Sequence, residues 1–299
     1  MTFAFHPGEL EVQRRAGEDE VAARVARSIR EDVPDVAAAF LEAQPFVVIA
    51  TTDDTGHPVA SLLSGPPGVV RVAGDRTLVL DRLPPAGDPV TAALGRPSAE
   101  VGLIAIEPAT RRRVRINGAA RRESDRVLVT TGQVFSNCPK YISTREPDHA
   151  DLATPPGPRR DTDVLTDEDR RLLEGTDALF LASTNVDAGV DVSHRGGNPG
   201  FVTVTGPTSL SFPDYQGNSM FMTLGNLTVD PRVGLLVVDW ATGDLLQLQG
   251  TATIDWSPER AATIPGARRV VDVALTRVTH APGASPLRWG PRELSRFNP

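Results

Sequence analysis

Apolar residues recur at two different periods along this chain, and the change of period divides it. Over residues 18–43, Val21, Val25 and Ile29 keep helical spacing with arginines and acids between them. Pro34 kinks or restarts that helix, and Val36, Phe40 and Leu41 continue its apolar stripe. Pro45 closes the segment. From Phe46 the texture turns to short β-branched runs. Residues 46–52, 59–63, 69–72, 77–80, 101–106 and 114–120 read as strands, separated by Gly/Pro turns such as 53–58. Residues 90–94 suffice only for a short helix. Residues 146–166, rich in Pro, Asp and Arg and without periodicity, read as a linker. Thr166 then caps a helix over 166–174, with Asp169 three positions on. A second strand-rich block begins at Ala178.

The second block repeats the first. Residues 45–72 align with 177–204 at an offset of 132, which places Ala50 on Ala182, Thr52 on Thr184, Ser61 on Ser193, Gly65 on Gly197 and Gly68 on Gly200. The register still holds where Val101-Gly102-Leu103 meets Val233-Gly234-Leu235 and where Gly118 meets Gly250. Shared strand texture alone would not keep glycine on glycine, so this is a duplication. The expected organisation is a helical segment 1–44, a first copy 45–145, a linker 146–166, and a second copy with its tail, 167–299. Two such copies can pack as a pseudo-dimer, with a site between halves.

Differences between the copies point to chemistry. His194 and Arg195 stand where the first copy has Leu62 and Leu63. Asn218 and Ser219 lead into an apolar helix, 220–229, where the first copy has a proline-rich loop. Arg195, His194, Asn218 and Ser219 form a plausible anion site, because arginine offers a planar donor fork and a helix start offers free N–H groups. Asn218 alone would serve equally as a helix cap. Asp191 and His194, three apart on a strand, face opposite ways, so no metal site is expected. Ser193 lacks a G-x-S-x-G context, which argues against a hydrolase. Arg111-Arg112-Arg113 reads as a solvated hairpin end, with an anion contact as the alternative.

Composition narrows the function classes. The 299 residues carry a net charge of −7, which disfavours a nucleic-acid binder. No apolar run is long enough to span a membrane and no signal peptide is visible, so a cytoplasmic protein is expected. Cys138 is the only cysteine and Lys140 the only lysine, which excludes an internal disulfide and a P-loop. Both lie in 137–142, NCPKYI, whose blander reading is a buried small thiol beside a turn.

With these residues in view, the chain resembles the pyridoxamine 5′-phosphate oxidase-like family of FMN-binding split barrels, and most closely a two-copy subgroup. The stretches 45–68, 135–142, 189–202 and 217–254 and the terminal 286–289 carry the resemblance. It implies a mainly β fold with flanking helices (α+β), built as tandem six-stranded split β-barrels with FMN at a dimer or pseudo-dimer interface. By the same resemblance, Ser193, His194, Arg195, Asn218 and Ser219 hold the flavin phosphate, and Gln247 and Gln249 lie near the isoalloxazine ring. Cys138, Lys140, Tyr141 and Tyr215 are candidates for the substrate side. The family's basic residue at the helix start is replaced here by Asn218 and Ser219, which shifts weight to Arg195. The implied activity is an FMN-dependent oxidoreductase with a small-molecule substrate or redox partner, with His194 as the weak catalytic candidate. The alternative is an FMN- or haem-binding carrier or sensor without catalysis. A homodimer of whole chains stays open.

Overall fold

The computed structural model describes residues 5–123, 126–136, 138–151, 154–186 and 188–299. Three helices precede the first sheet: α1 (Pro7–Ala16), α2 (Asp19–Val25) and α3 (Asp35–Glu42). The helix expected over 18–43 is therefore split. Ile29 is extended, and Arg30 forms a β-bridge with Val134, so sheet hydrogen bonding interrupts the helical stripe. Helix α1 escapes a pattern search because its capping box uses His6, whose ring accepts from the Gly8 amide while Glu9 returns to the His6 amide.

The first copy forms one seven-stranded sheet: β1 (Phe46–Thr52), β2 (Pro58–Ser64), β3 (Val70–Gly74), β4 (Thr77–Leu80), β5 (Ala99–Glu107), β6 (Arg112–Glu123) and β7 (Arg126–Ser136). Helix α4 (Pro89–Ala93) sits between β4 and β5. The connection to the second copy carries two short strands, β8 (Pro147–Ala150) and β9 (Arg160–Thr162), and ends at α5 (Asp167–Gly175), whose Thr166–Asp169 capping box forms as the spacing predicts. The second sheet comprises β10 (Ala178–Asn185), β11 (Gly189–Gly196), β12 (Thr203–Gly206), β13 (Ser209–Tyr215), β14 (Arg232–Val238), β15 (Leu245–Asp255) and β16 (Ala267–Ala281). Helix α6 (Met222–Val229) precedes β14, α7 (Pro258–Ala261) precedes β16, and β17 (Leu287–Trp289) pairs with β8.

Strand order is β2-β1-β5-β6-β7-β4-β3 in the first sheet and β11-β10-β14-β15-β16-β13-β12 in the second, the same path twice. The architecture is mainly β with flanking helices, in two copies. The shared path has seven strands where the resemblance implied six, and the second sheet gains an eighth, β9, paired with β16. The strand added to the shared path, β7 or β16, alternates polar and apolar residues and so lacks the continuous apolar run of its neighbours. Even the irregularities repeat: bulges interrupt β6–β7 at Asn117/Gly118 and β15–β16 at Gln249/Gly250, positions 132 apart. A bulge is a designed local feature, and its recurrence at one offset marks common descent of the copies.

Four apolar clusters form among the described residues, the smallest of them joining Ile29 and Phe135 to Met220 and Met222. Of the others, one fills each copy and the third lies between them, where Phe46, Val48, Leu62 and Ile104 meet Phe180, Val192, Leu236 and Trp289. The packing is two-fold in pattern. A Cβ on Gly102 of β5 would fall 2.9 Å from Val192 N and 3.0 Å from Asp191 C on β11. A Cβ on Gly234 of β14 would run into Pro58 and Val59 on β2. Residue 102 maps onto 234, and 59 onto 191. Of the glycines that align in sequence, Gly102 and Gly234 are thus points where each copy's backbone rests on the other, the isologous pattern of a dimer.

Candidate functional site

Pseudo-symmetry builds two comparable corners, each from a strand and helix start of one copy and a strand of the other. Only one is open. It is a pocket of about 90 Å³ between β11, the turn entering α6, and β6 of the first copy. It gathers Ser193, His194, Arg195, Asn218, Ser219, Tyr141 and Tyr215, all singled out from sequence, and adds Arg113 and Arg115.

Strand alternation sorts the β11 residues. Asp191 and Ser193 meet α6 and Arg195 meets β13; His194 points the other way, toward Arg113 of the first copy and edge-on to Phe180 of β10 at 5.6 Å. Thr223 Oγ1 donates toward Asp191 Oδ2 at 3.2 Å and stands 2.9 Å from Ser193 Oγ. Arg195 pairs with the buried Asp214 at 2.5 Å, and Asp214 also ion-pairs with Arg269 at 3.1 Å. Helix α6 begins at Met222, two residues later than expected, because Ser219 and Phe221 both adopt left-handed backbone, φ 64° and 57°. Gly87, the first-copy counterpart of Ser219, has φ 85°. A non-glycine residue held there is strained. Ser219 is tied down by its hydroxyl, which donates to Glu18 at 2.5 Å. Asn218 caps the same turn, its Oδ1 accepting from the Met220 amide at 3.2 Å.

Of the two arginines from β6, Arg113 fits the anion-contact alternative for its cluster, and Arg115 carries no such expectation. Arg115 forms a buried ion pair with Asp191 across the interface, beside Asn117 Nδ2 at 3.2 Å from the same carboxylate. Arg113 donates to Cys138 O at 2.6 Å and approaches His194 Nδ1 at 3.4 Å. It has no carboxylate partner among the described residues. Burial and the neighbouring Arg115 push its pKa down to about 9, which still leaves it charged at neutral pH. Burial, then Arg113, push His194 down to about 3. His194 is therefore a neutral ring at physiological pH and ill-matched to take up a proton there. The signal for Arg115 was available: it aligns with Gln247, and a pseudo-dimer exchanges that strand between half-sites.

Among the described residues, four buried donors in this pocket lack a hydrogen-bond partner: Arg113 Nε, Arg115 Nε, Arg195 Nε and Asn218 Nδ2. The first-turn amides of α6 lie alongside, and such amides have no intrahelical acceptor. Native proteins rarely leave buried donors unmet. A cluster of them, three on cationic side chains, suits an anion with several acceptor oxygens. The volume suits a phosphate-sized group and falls short of the several hundred Å³ of a whole-cofactor pocket.

Gln247 and Gln249 are placed apart from these residues, on β15 in the pseudo-symmetric corner. Gln247 donates to Ala60 O and Asp88; Gln249 donates to Asp53. Tyr141 and Tyr215 stack at 5.2 Å beside the pocket, with Tyr141 donating to Gln216 O. Cys138 is exposed rather than buried, and neither it nor Lys140 lines the pocket. Asn137 lies outside the described residues. Arg111 and Arg112 do sit at the hairpin end, bonded to Ile142 O and Glu107. No described helix is long and apolar enough to cross a membrane.

No protein-family model matches the chain, and no curated protein does. Among solved structures, 42 chains match. A pyridoxamine 5′-phosphate oxidase candidate from Lactobacillus delbrueckii is 20% identical, covering 39% of this chain and 94% of its own, with a TM-score of 0.33. One from Listeria innocua is 13% identical over 38% and 94%, TM-score 0.29. A protein from Clostridium acetobutylicum related to general stress protein 26 is 12% identical over 41% and 91%, TM-score 0.29. At such scores these likenesses carry no weight for activity. Over a span the size of one copy, the chain is similar to solved proteins named for the pyridoxamine 5′-phosphate oxidase family that its motifs resemble.

Proposed function

We propose that this pocket binds the phosphate of FMN and that the chain is a flavin-dependent oxidoreductase. The observation that carries the reading is the convergence of unmet buried donors from Arg113, Arg115, Arg195 and Asn218 on the α6 start. The residues fit an anionic tail. Arg113, which has no carboxylate partner among the described residues, and the unmet Nε of Arg195, whose other end is held by Asp214, would supply charge-assisted hydrogen bonds, Asn218 a neutral one, and α6 its free amides. Arg115 is held by Asp191, so its role is to complete the wall and orient β11 rather than to contribute a free charge. The stacked Tyr141 and Tyr215 at the mouth would bound the substrate side.

FMN, when bound, supplies hydride and electron transfer, and the protein supplies anchoring and tuning. His194 would act as a neutral hydrogen-bonding ring against Arg113. The haem alternative gains nothing from His194, whose ring is held between Phe180 and that guanidinium. The test is a titration with FMN and with riboflavin, which lacks the phosphate. FMN is expected to bind at least tenfold more tightly; equal affinities, or no binding of either, would overturn the reading. Bleaching of the bound flavin under NADH or NADPH then separates an enzyme from a carrier.

A further inference from the structure

Helices α1 and α2 lie outside the repeat. At the offset of 132, α3 falls on residues 167–174 of α5, whereas residues 7–25 fall on 139–157, where the described residues form no helix. This leading arm nevertheless packs on the second copy. A Cβ on Gly8 of α1 would fall 2.4 Å from Gly225 O of α6. Two side chains of the arm end on the turn that enters α6. The buried Gln13 donates from Nε2 to Met220 O at 2.9 Å. Glu18 precedes α2 but makes no capping bond to it, and its carboxylate accepts from Ser219 Oγ at 2.5 Å. The turn needs holding, because Ser219 and Phe221 are both left-handed with Met220 between them. The first copy has Gly87 at the place of Ser219, where no Cβ opposes the conformation. The second copy places a serine there against its preference.

We infer that Glu18 is a positioning residue of the open pocket: through the Ser219 hydroxyl it holds the α6 entry turn in the left-handed form in which Asn218 and the first residues of α6 line the pocket. A serine held from the arm thus does in the second copy what glycine does in the first. Gln13 fixes the next residue of the same turn through its carbonyl. The inference rests on the reading that the pocket takes the flavin phosphate. If the tie is lost, the strained turn spends part of its time in other conformations, and apparent affinity falls by the fraction that remains competent. The arm, first in the chain, is thereby a working part of the second copy's pocket.

The test compares Ser219→Ala with Ser219→Gly in the full chain. Both lack the hydroxyl, and only glycine adopts the left-handed backbone without cost. Ser219→Gly should bind FMN at least about fivefold more tightly than Ser219→Ala and melt about 1–2 °C higher. Glu18→Ala should weaken FMN binding about fivefold in the wild-type background, and less than about twofold in the Ser219→Gly background, where no hydroxyl remains to be held. Equal FMN affinities of the two Ser219 variants overturn the inference, as does an equal loss on Glu18→Ala in both backgrounds. A wild type that binds no FMN sinks the flavin reading alone. The melting order then decides the positioning role: Ser219→Ala melting together with Ser219→Gly overturns it, and the expected gap supports it.

Discussion

Consider adding one methyl group at each of the twin glycines, Gly102→Ala and Gly234→Ala. At Gly102 the new Cβ meets Val192 N at 2.9 Å and the Asp191 backbone at 3.0–3.1 Å. At Gly234 it meets the Pro58 carbonyl more closely still. Backbone cannot rotate aside as a side chain can, so the copies must separate by several tenths of an ångström along the shared core. Overpacking of this kind costs about 1–3 kcal/mol. With roughly 2 cal/mol/K of unfolding entropy per residue over the whole chain, that is a fall in Tm of about 2–5 °C by calorimetry, somewhat larger for Gly234→Ala. The second readout separates the pair. Gly102→Ala pushes β11, which carries Ser193 and Arg195, and should weaken FMN binding several-fold. Gly234→Ala pushes β2, in the closed corner, and should leave affinity near wild type. If both variants melted with the wild type, the two-fold packing would be wrong. If Gly234→Ala weakened binding as much as Gly102→Ala, the assignment of the site to the second copy's strand would be wrong.

Other outcomes follow from the same geometry. Arg195→Ala and Arg113→Ala should each lose roughly 1–3 kcal/mol of FMN affinity in a fluorescence titration, through loss of a charge-assisted contact; unchanged affinity would remove that arginine from the site. Asp177→Ala leaves the buried Arg145 without its partner carboxylate and should destabilise the fold by about 3–5 kcal/mol by denaturant unfolding. Glu9, buried under α6, has its pKa raised to about 8 by burial. The unfolded carboxyl titrates near 4.5, so between pH 4.5 and 8 the folded state keeps a proton that the unfolded state has released. Stability from this group is then present at pH 4 and falls as pH rises to 8. Glu9→Gln should flatten that slope in Tm measured against pH and be the more stable protein at pH 8; parallel pH profiles would contradict the burial argument.

The scaffold was readable in sequence where the physics is local. β-branched runs bounded by Gly/Pro turns located β1 to β6 to within three residues at each end, and glycine-on-glycine register exposed the duplication because close backbone approach at Gly102, Gly118, Gly234 and Gly250 and left-handed backbone at Gly68 and Gly200 disfavour other residues. What depends on distant partners was less legible. Arg113 and Arg115 look like ordinary hairpin charges until β6 is laid against β11 of the other copy. The α6 start shifted because Ser219 and Phe221 take a left-handed backbone that their side chains do not announce. Gln247 and Gln249 were read into the same site as Arg195, and the exchange of strands between copies places them in opposite corners. Helix α1, capped by a histidine, packs on α6 through Gly8 and Gly225, a contact between residues more than two hundred positions apart.

The covalent join between the copies has a consequence for where this pocket can work. Its walls come from both copies, β11 from one and β6 from the other. In a dimer of single barrels such a pocket would dissolve on dilution below the dissociation constant of the subunits. Here the second wall is tethered, present at the effective concentration of its own chain, on the order of millimolar or above for a short connection. The pocket should therefore persist at nanomolar protein, and each half has been free to diverge without having to remain compatible with an identical copy of itself.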